Sequence, residues 1–158
     1  MDQIDYRILS ALQENARMPF SELSRTISMS QPAVAERVRK LEEQGVISGY
    51  RAELSPSKLG KLTSAFVLMK TNNCKDFLAF GEKSPEVVDL YRISGEYNYL
   101  MKVVTESNES FASFLDACNA FGFSLPLIVL TTAFEDKSLV ADRMPEADIP
   151  QLAAHRLS

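Results

Sequence analysis

Three residues, Ser28-Met29-Ser30, separate two stretches whose apolar side chains recur at helical spacing. Upstream, Phe20, Leu23 and Ile27 share one face of a helix over Phe20–Ile27; downstream, Val34, Val38 and Leu41 share one face of another. So short a connection permits only a tight turn, so the two helices must pack as a pair. Ser30 is placed to cap the second, Pro32 lies in its first turn, and Gly45 stops it. An earlier helix carries Ile4, Ile8, Leu9 and Leu12 on one side, with Asp2 or Asp5 as its cap, and residues 15–19 end it. Residues 46–50, Val-Ile-Ser-Gly-Tyr, are expected as a short strand or wing.

Beyond residue 50 the period changes. Residues 51–61 contain Pro56 and Gly60 and read as a linker. Strands are expected at 65–69, 87–94, 97–105 and 125–134, with a turn at Gly95-Glu96. Helices are expected at 75–83 and after a cap at Ser107 or Asn108, the latter with Phe111, Phe114, Leu115 and Cys118 apolar. The order β-α-β-β-α-β is ferredoxin-like. Two helices cover one face of such a sheet. The other face has no cover in the chain, and a partner sheet is the natural solution. The class is therefore α+β. A winged helix-turn-helix domain (1–50) is joined by the linker (51–61) to a ferredoxin-like domain (62–137), with a peripheral tail (138–158) carrying Pro145, Pro150 and His155.

Charge narrows the partners. The net charge is −4, yet residues 1–60 hold eight acids and eight bases, so the excess acid belongs to the remainder. An anionic partner should prefer the N-terminal part. There the second helix of the pair presents Pro32, Glu36, Arg39, Lys40 and Glu43 outward, with Gln31, Ala33 and Arg37 on the flanks. Two helices with a three-residue turn are the design that lays its second helix in the DNA major groove. A solvated charged face on a trihelical packing module is the plainer alternative. For DNA, Gln31, Ala33, Glu36 and Arg37 fall near base edges, and Arg39 reaches guanine or phosphate. Arg17, Lys40 and the Ser30 turn suit phosphates. Catalysis finds little support: there is no phosphate loop, no nucleophile elbow, and the single histidine, His155, is in the tail. Two distant cysteines, Cys74 and Cys118, with one histidine make neither a disulfide framework nor a metal site, and both thiols read as inert. No apolar run reaches membrane-spanning length and the N-terminus lacks a signal-peptide pattern, so no membrane partner and a cytoplasmic, nucleoid-associated location are expected.

Longer motifs then add up. They open with Asp2-x-x-Asp5-x-x-Ile8-Leu9-x-x-Leu12, then Asn15-x-Arg17, Glu22-Leu23-Ser24 and Met29-Ser30. Val34-x-x-Arg37-Val38-x-x-Leu41-Glu42-x-x-Gly45-Val46-Ile47 follows, and Gly95-x-Tyr97-Asn98-Tyr99-Leu100 completes the set. Over residues 2–137 the chain resembles the leucine-responsive/asparagine-responsive (Lrp/AsnC) transcription regulators. The resemblance implies dimers formed through the second domain's sheets, which often assemble into octamers. Two heads on a two-fold dimer favour a pseudo-palindromic site. It also implies an effector, usually an amino acid, bound between dimers near the turn joining the two middle strands; no other cofactor is implied.

The matching effector positions are Gly95, Glu96, Tyr97 and Asn98, with Thr131 nearby in the fourth strand. Three residues depart from the family pattern: Pro19, where a helix-capping serine or threonine is common but a helix can still start, and two at the effector region. Asn98 stands where an aspartate is common, and it offers only neutral hydrogen bonds to a ligand ammonium. Pro126 stands where a threonine often begins strand four. Either the ligand differs, or Thr131, Thr132 or Glu96 substitutes, or no ligand binds. Gly95 can also be read as a turn former alone, and Tyr91, Tyr97 and Tyr99 as strand packing. The functional expectation is a sequence-specific transcription regulator; the alternative is an architectural protein that wraps or bridges DNA with little sequence preference and no effector.

Overall fold

The computed structural model describes residues 1–140, which divide into two compact units. A helical unit comprises Met1–Ala52 together with the described residues from Phe134; a sheet unit comprises Glu53–Ala133. Most of the expected tail, with Pro145, Pro150 and His155, lies outside the described residues.

The helical unit contains α1 (Gln3–Glu14), α2 (Phe20–Ile27) and α3 (Gln31–Glu43). Both candidate caps of α1 act together. The Asp2 carboxylate accepts the Asp5 N–H at 3.0 Å, and the Asp5 carboxylate accepts the Asp2 N–H at 2.9 Å. The Pro19 carbonyl accepts the N–H groups of Glu22 and Leu23, so α2 starts without a side-chain cap. Ile8, Leu9, Leu12, Leu23, Ile27, Val34, Val38 and Leu41 form one buried cluster, the stripes expected from their spacing. Each such side chain contributes about 1.5–3 kcal/mol on burial.

The wing is not formed as a strand. The N–H groups of Val46 and Ile47 both donate to the Leu41 carbonyl, at 2.9 and 3.1 Å, closing the end of α3. With those donors used and no neighbouring strand among the unit's described residues, residues 46–50 have no partner there to pair with. Later in the chain, the Leu139 N–H and the Ser138 hydroxyl donate to the Gln13 side-chain oxygen, each at 3.1 Å, and Val140 packs on the helical core.

The sheet unit contains a 3-10 turn (Ser57–Leu59), β1 (Thr63–Lys70), α4 (Cys74–Lys83), β2 (Val87–Arg92), β3 (Tyr99–Thr105), α5 (Asn108–Cys118) and β4 (Phe123–Ile128). The sheet is antiparallel in the order β2-β3-β1-β4. Ala65, Val67, Met69, Tyr99, Met101 and Val103 point inward onto Phe77 of α4 and Phe111, Phe114 and Cys118 of α5. Ser107 caps α5 through a reciprocal pair with Ser110. Burial pushes the Cys118 thiol up to about 12, with Glu86 adding to it, so it stays protonated.

β4 corrects the expected boundary: it begins two residues early and ends at Ile128 rather than continuing to 134. Gly122 makes the early start feasible. Its φ is +156°, and a Cβ there would lie 2.2 Å from the Lys70 carbonyl oxygen. The Val129 N–H donates to the Ser64 carbonyl at 2.9 Å, which sets the phase of the ladder. Pro126, opposite Val67, then falls at a position that exchanges no bonds with β1 on an edge strand, where its missing N–H does no harm. On the outer face Phe123, Leu127 and Tyr91 are exposed beside the half-buried Phe66, Leu68 and Leu100.

Candidate nucleic-acid interface and effector region

The pairing of α2 with α3 depends on Ser28, which adopts the left-handed conformation (φ 61°, ψ 45°). Its N–H returns to the Arg25 carbonyl, and the Met29 N–H returns to the Ser24 carbonyl at 3.0 Å. That reversal points α3 away from α2 within the three residues available. Ser30 occupies the N-cap position of α3, but its hydroxyl makes no capping bond, contrary to expectation. The Ser30 carbonyl accepts the Val34 N–H instead. The hydroxyl and the first N–H groups of α3 therefore remain available to an anion.

Gln31, Pro32, Glu36, Arg39 and Lys40 are exposed on α3, with Ala33 and Arg37 half-buried beside them. Arg17 is exposed in the α1–α2 connection; its N–H is held by Asn15 at 3.0 Å, and its guanidinium has no partner among the described residues. Arg39 is held on both sides. Its Nε and Nη2 donate to the two carboxylate oxygens of Glu36 at 2.9 and 2.7 Å, and Nη1 donates to Glu43. Lys40 lies 3.7 Å from Glu36. The Arg39 hydrogen bonds keep the Glu36 carboxyl below its ordinary value, so it is an acceptor only.

Arg37 departs most from expectation. Its Nη1 donates to Asp5 at 2.7 Å and to both oxygens of Asp2 at 2.9 and 3.1 Å. These bonds, Asp5 first, raise Arg37 above its usual range. The Asp5 N–H, followed by Arg37, holds Asp2 below its own. The guanidinium thus ties α3 to the start of α1 through Nη1. Sequence reasoning missed this partnership, although Asp2 and Asp5 one turn apart were its signal. It also missed Tyr50, whose hydroxyl donates to Glu42 at 2.8 Å; desolvation, then Glu42, push that phenol up to about 12.

In the sheet unit, residues 95–98 form the turn between β2 and β3, closed by the Ile93 N–H donating to the Asn98 carbonyl at 3.0 Å. Gly95 has φ +120° and nothing within 4 Å of a Cβ, so backbone angle rather than crowding demands glycine. Glu96 is exposed and pairs with Lys70 at 3.3 Å. The Tyr97 ring lies 6.4 Å from that of Phe123.

Asn98 is committed within the chain. Its Oδ1 accepts the Thr71 N–H at 3.0 Å, and its Nδ2 donates to the Thr71 carbonyl at 2.7 Å. The amide splints β3 to the end of β1, where a ligand group was expected. Thr131 is not brought to this turn. It lies three residues beyond β4, past Ile128, which pairs with Ala65 at the start of β1, whereas the Asn98 N–H bonds to Met69 near the other end. No group of residues able to hold a metal ion occurs among the described residues, and none of their helices is long and apolar enough to cross a membrane.

Comparisons with known proteins agree with this geometry. Residues 1–42 match the AsnC-type helix-turn-helix domain and residues 64–121 match the Lrp/AsnC ligand binding domain. The HTH-type transcriptional regulator YezC of Bacillus subtilis is 44% identical over 133 residues, covering 84% of this chain and 96% of its own. The structure of LrpC from Bacillus subtilis superposes with a TM-score of 0.81 at 31% identity, covering 87% of this chain and 99% of LrpC. A transcriptional regulator from Neisseria meningitidis, solved as its L-Met complex, superposes with a TM-score of 0.82 at 29% identity, covering 88% of this chain and 96% of that one.

Proposed function

Because the chain belongs to the Lrp/AsnC family of transcriptional regulators, we propose that it recognises its operator as a two-fold dimer whose α3 helices enter successive major grooves. The observation that carries this reading is the α2–α3 pair itself: a left-handed Ser28 turn, a buried Val34–Val38–Leu41 stripe and a polar outer face on α3. Gln31, Ala33 and Glu36 face base edges, with Pro32 presetting the first turn. Arg17, Lys40 and the Ser30 turn fix register on phosphates, and Arg39 reaches guanine or phosphate. Arg37 supports α3 through Asp2 and Asp5 instead of touching DNA.

The exposed outer face of the sheet is the self-association surface, since an apolar patch of this kind is buried by a matching sheet. Dimers assemble further, with an octamer as the expected closed form. An amino acid or related small molecule bound between dimers at the Gly95–Tyr97 turn shifts that assembly. The precedent is the L-Met complex of the Neisseria meningitidis relative. Asn98 is then a support of the turn, and the ligand's polar groups meet the turn backbone, Glu96 and Tyr97. No further cofactor takes part, no catalytic step is assigned, and the DNA partner places the protein in the cytoplasm.

Genomic DNA fragments captured by the purified protein, with and without each amino acid at millimolar concentration, test this reading. A few strongly enriched sites, shifted by at least one amino acid, are expected. Broad capture of A·T-rich or bent DNA, indifferent to every amino acid, would overturn it in favour of an architectural role.

A further inference from the structure

We propose that Glu36 and Arg39 act on DNA as one preformed unit that reads a C·G base pair in the major groove. The inference rests on the DNA-binding reading above and adds the base pair recognised. Glu36 and Arg39 lie one turn apart on the exposed face of α3 and are joined by a two-bond fork, Nε to Oε2 at 2.9 Å and Nη2 to Oε1 at 2.7 Å. Glu43 holds Nη1 from the other side. Arg39 has five N–H groups, of which three are engaged. The two left over are one on each terminal nitrogen. The Glu36 carboxylate, ionised under the influence of Arg39, keeps unused lone pairs.

This pair presents an acceptor beside two donors. In the major groove a carboxylate finds donors only on cytosine N4 and adenine N6, because the remaining polar atoms there are acceptors that repel it. Two adjacent guanidinium N–H groups find two matching acceptors on guanine, O6 and N7. A C·G pair supplies the N4 donor and the guanine acceptors side by side. An A·T pair supplies the donor, but its thymine offers one acceptor and a methyl group. Charge argues the same way. The Glu36–Arg39 pair is neutral overall, so it has little to offer a phosphate backbone, a contact that falls to Lys40 beside it. A helix face built only for phosphate would have no use for Glu36.

The experiment is selection from a randomised duplex pool by the full chain, comparing wild type with Glu36→Gln and Glu43→Gln at one salt concentration. Wild type is expected to select one position in each half-site where C·G is preferred about tenfold or more over the other pairs. Glu36→Gln should lower that preference about fivefold or more, shifting it toward A·T, while other selected positions stay unchanged, since a glutamine amide pairs with adenine. Glu43→Gln should keep the C·G preference, because the ion pair it loses is with Arg39 Nη1 while the two-bond fork from Glu36 stays in place. An unchanged motif with Glu36→Gln, or affinity that rises equally for every sequence, would overturn the assignment and reduce the pair to a surface ion pair. A wild-type pool with no motif at all would overturn the operator-recognition reading together with it.

Discussion

Asn98→Asp replaces one nitrogen by oxygen at the effector turn and should destabilise the sheet unit at neutral pH. In the wild type the side-chain amide donates to the Thr71 carbonyl at 2.7 Å and accepts the Thr71 N–H at 3.0 Å. The substitution keeps the acceptor and removes the donor. An ionised carboxylate would then face the carbonyl oxygen across a distance suited only to a hydrogen bond. Losing one such bond costs about 1 kcal/mol, and leaving a half-buried carbonyl poorly partnered adds a similar amount, so about 2 kcal/mol is expected at pH 7. The sign of the pH dependence follows. The protonated carboxyl can donate to the Thr71 carbonyl, so its folded pKa lies above its unfolded value of about 3.9. A group raised in this way is most favourable below its unfolded pKa and loses that advantage as pH rises through the folded one. The deficit should therefore be small near pH 4 and grow toward pH 7. Urea unfolding of the full chain at the two pH values, read beside Asn98→Ala, measures it. Wild-type stability of Asn98→Asp at pH 7, or a deficit independent of pH, would refute the splint.

Other expectations concern the helical unit and the turn. Ser28→Gly should stabilise by about 0.5–1 kcal/mol, the left-handed penalty relieved less the extra unfolded-state freedom of glycine, with operator affinity unchanged; chemical denaturation reads it. Arg37→Ala should lower the melting temperature of the helical unit and weaken DNA binding without changing the salt slope, whereas Lys40→Ala should reduce that slope by about one; binding titrations over a salt series separate the two. Asp2 sits below its ordinary pKa, so its contribution is present above the unfolded value and is lost as pH falls through the folded one. Asp2→Asn should accordingly flatten the acid limb of the stability profile below about pH 4. Gly95→Val, forced to a φ of +120°, should disturb assembly or effector response while the helical unit stays folded, as sedimentation and circular dichroism will show.

Local features were the readable ones. The extents of α2 and α3 follow from the spacing of Leu23, Ile27, Val34, Val38 and Leu41, because a helix buries one stripe whatever surrounds it. Strand ends were less legible, since a strand exists only where something pairs with it. Residues 46–50 carry strand-forming side chains but find no strand neighbour among the described residues, and β4 is placed by β1, with Gly122 tucked against the Lys70 carbonyl. The largest revisions came from residues far apart in sequence. Arg37 meets acids more than thirty positions earlier, and Asn98 meets Thr71 at a separation of 27, so each looked like a free polar group until the fold supplied its partner. On α3 the outward residues were identifiable by helical phase, but not that Arg39 is already held by Glu36 and Glu43.

The most direct test of sequence-specific regulation through α3 is the ratio of affinities, at one salt concentration, for the best selected duplex and for bulk genomic DNA. A preference of about a thousandfold or more is expected, reduced by Gln31→Ala with little change in the bulk affinity. A wild-type ratio within about tenfold, well short of specific recognition, would contradict the claim and leave a protein that holds DNA without reading it.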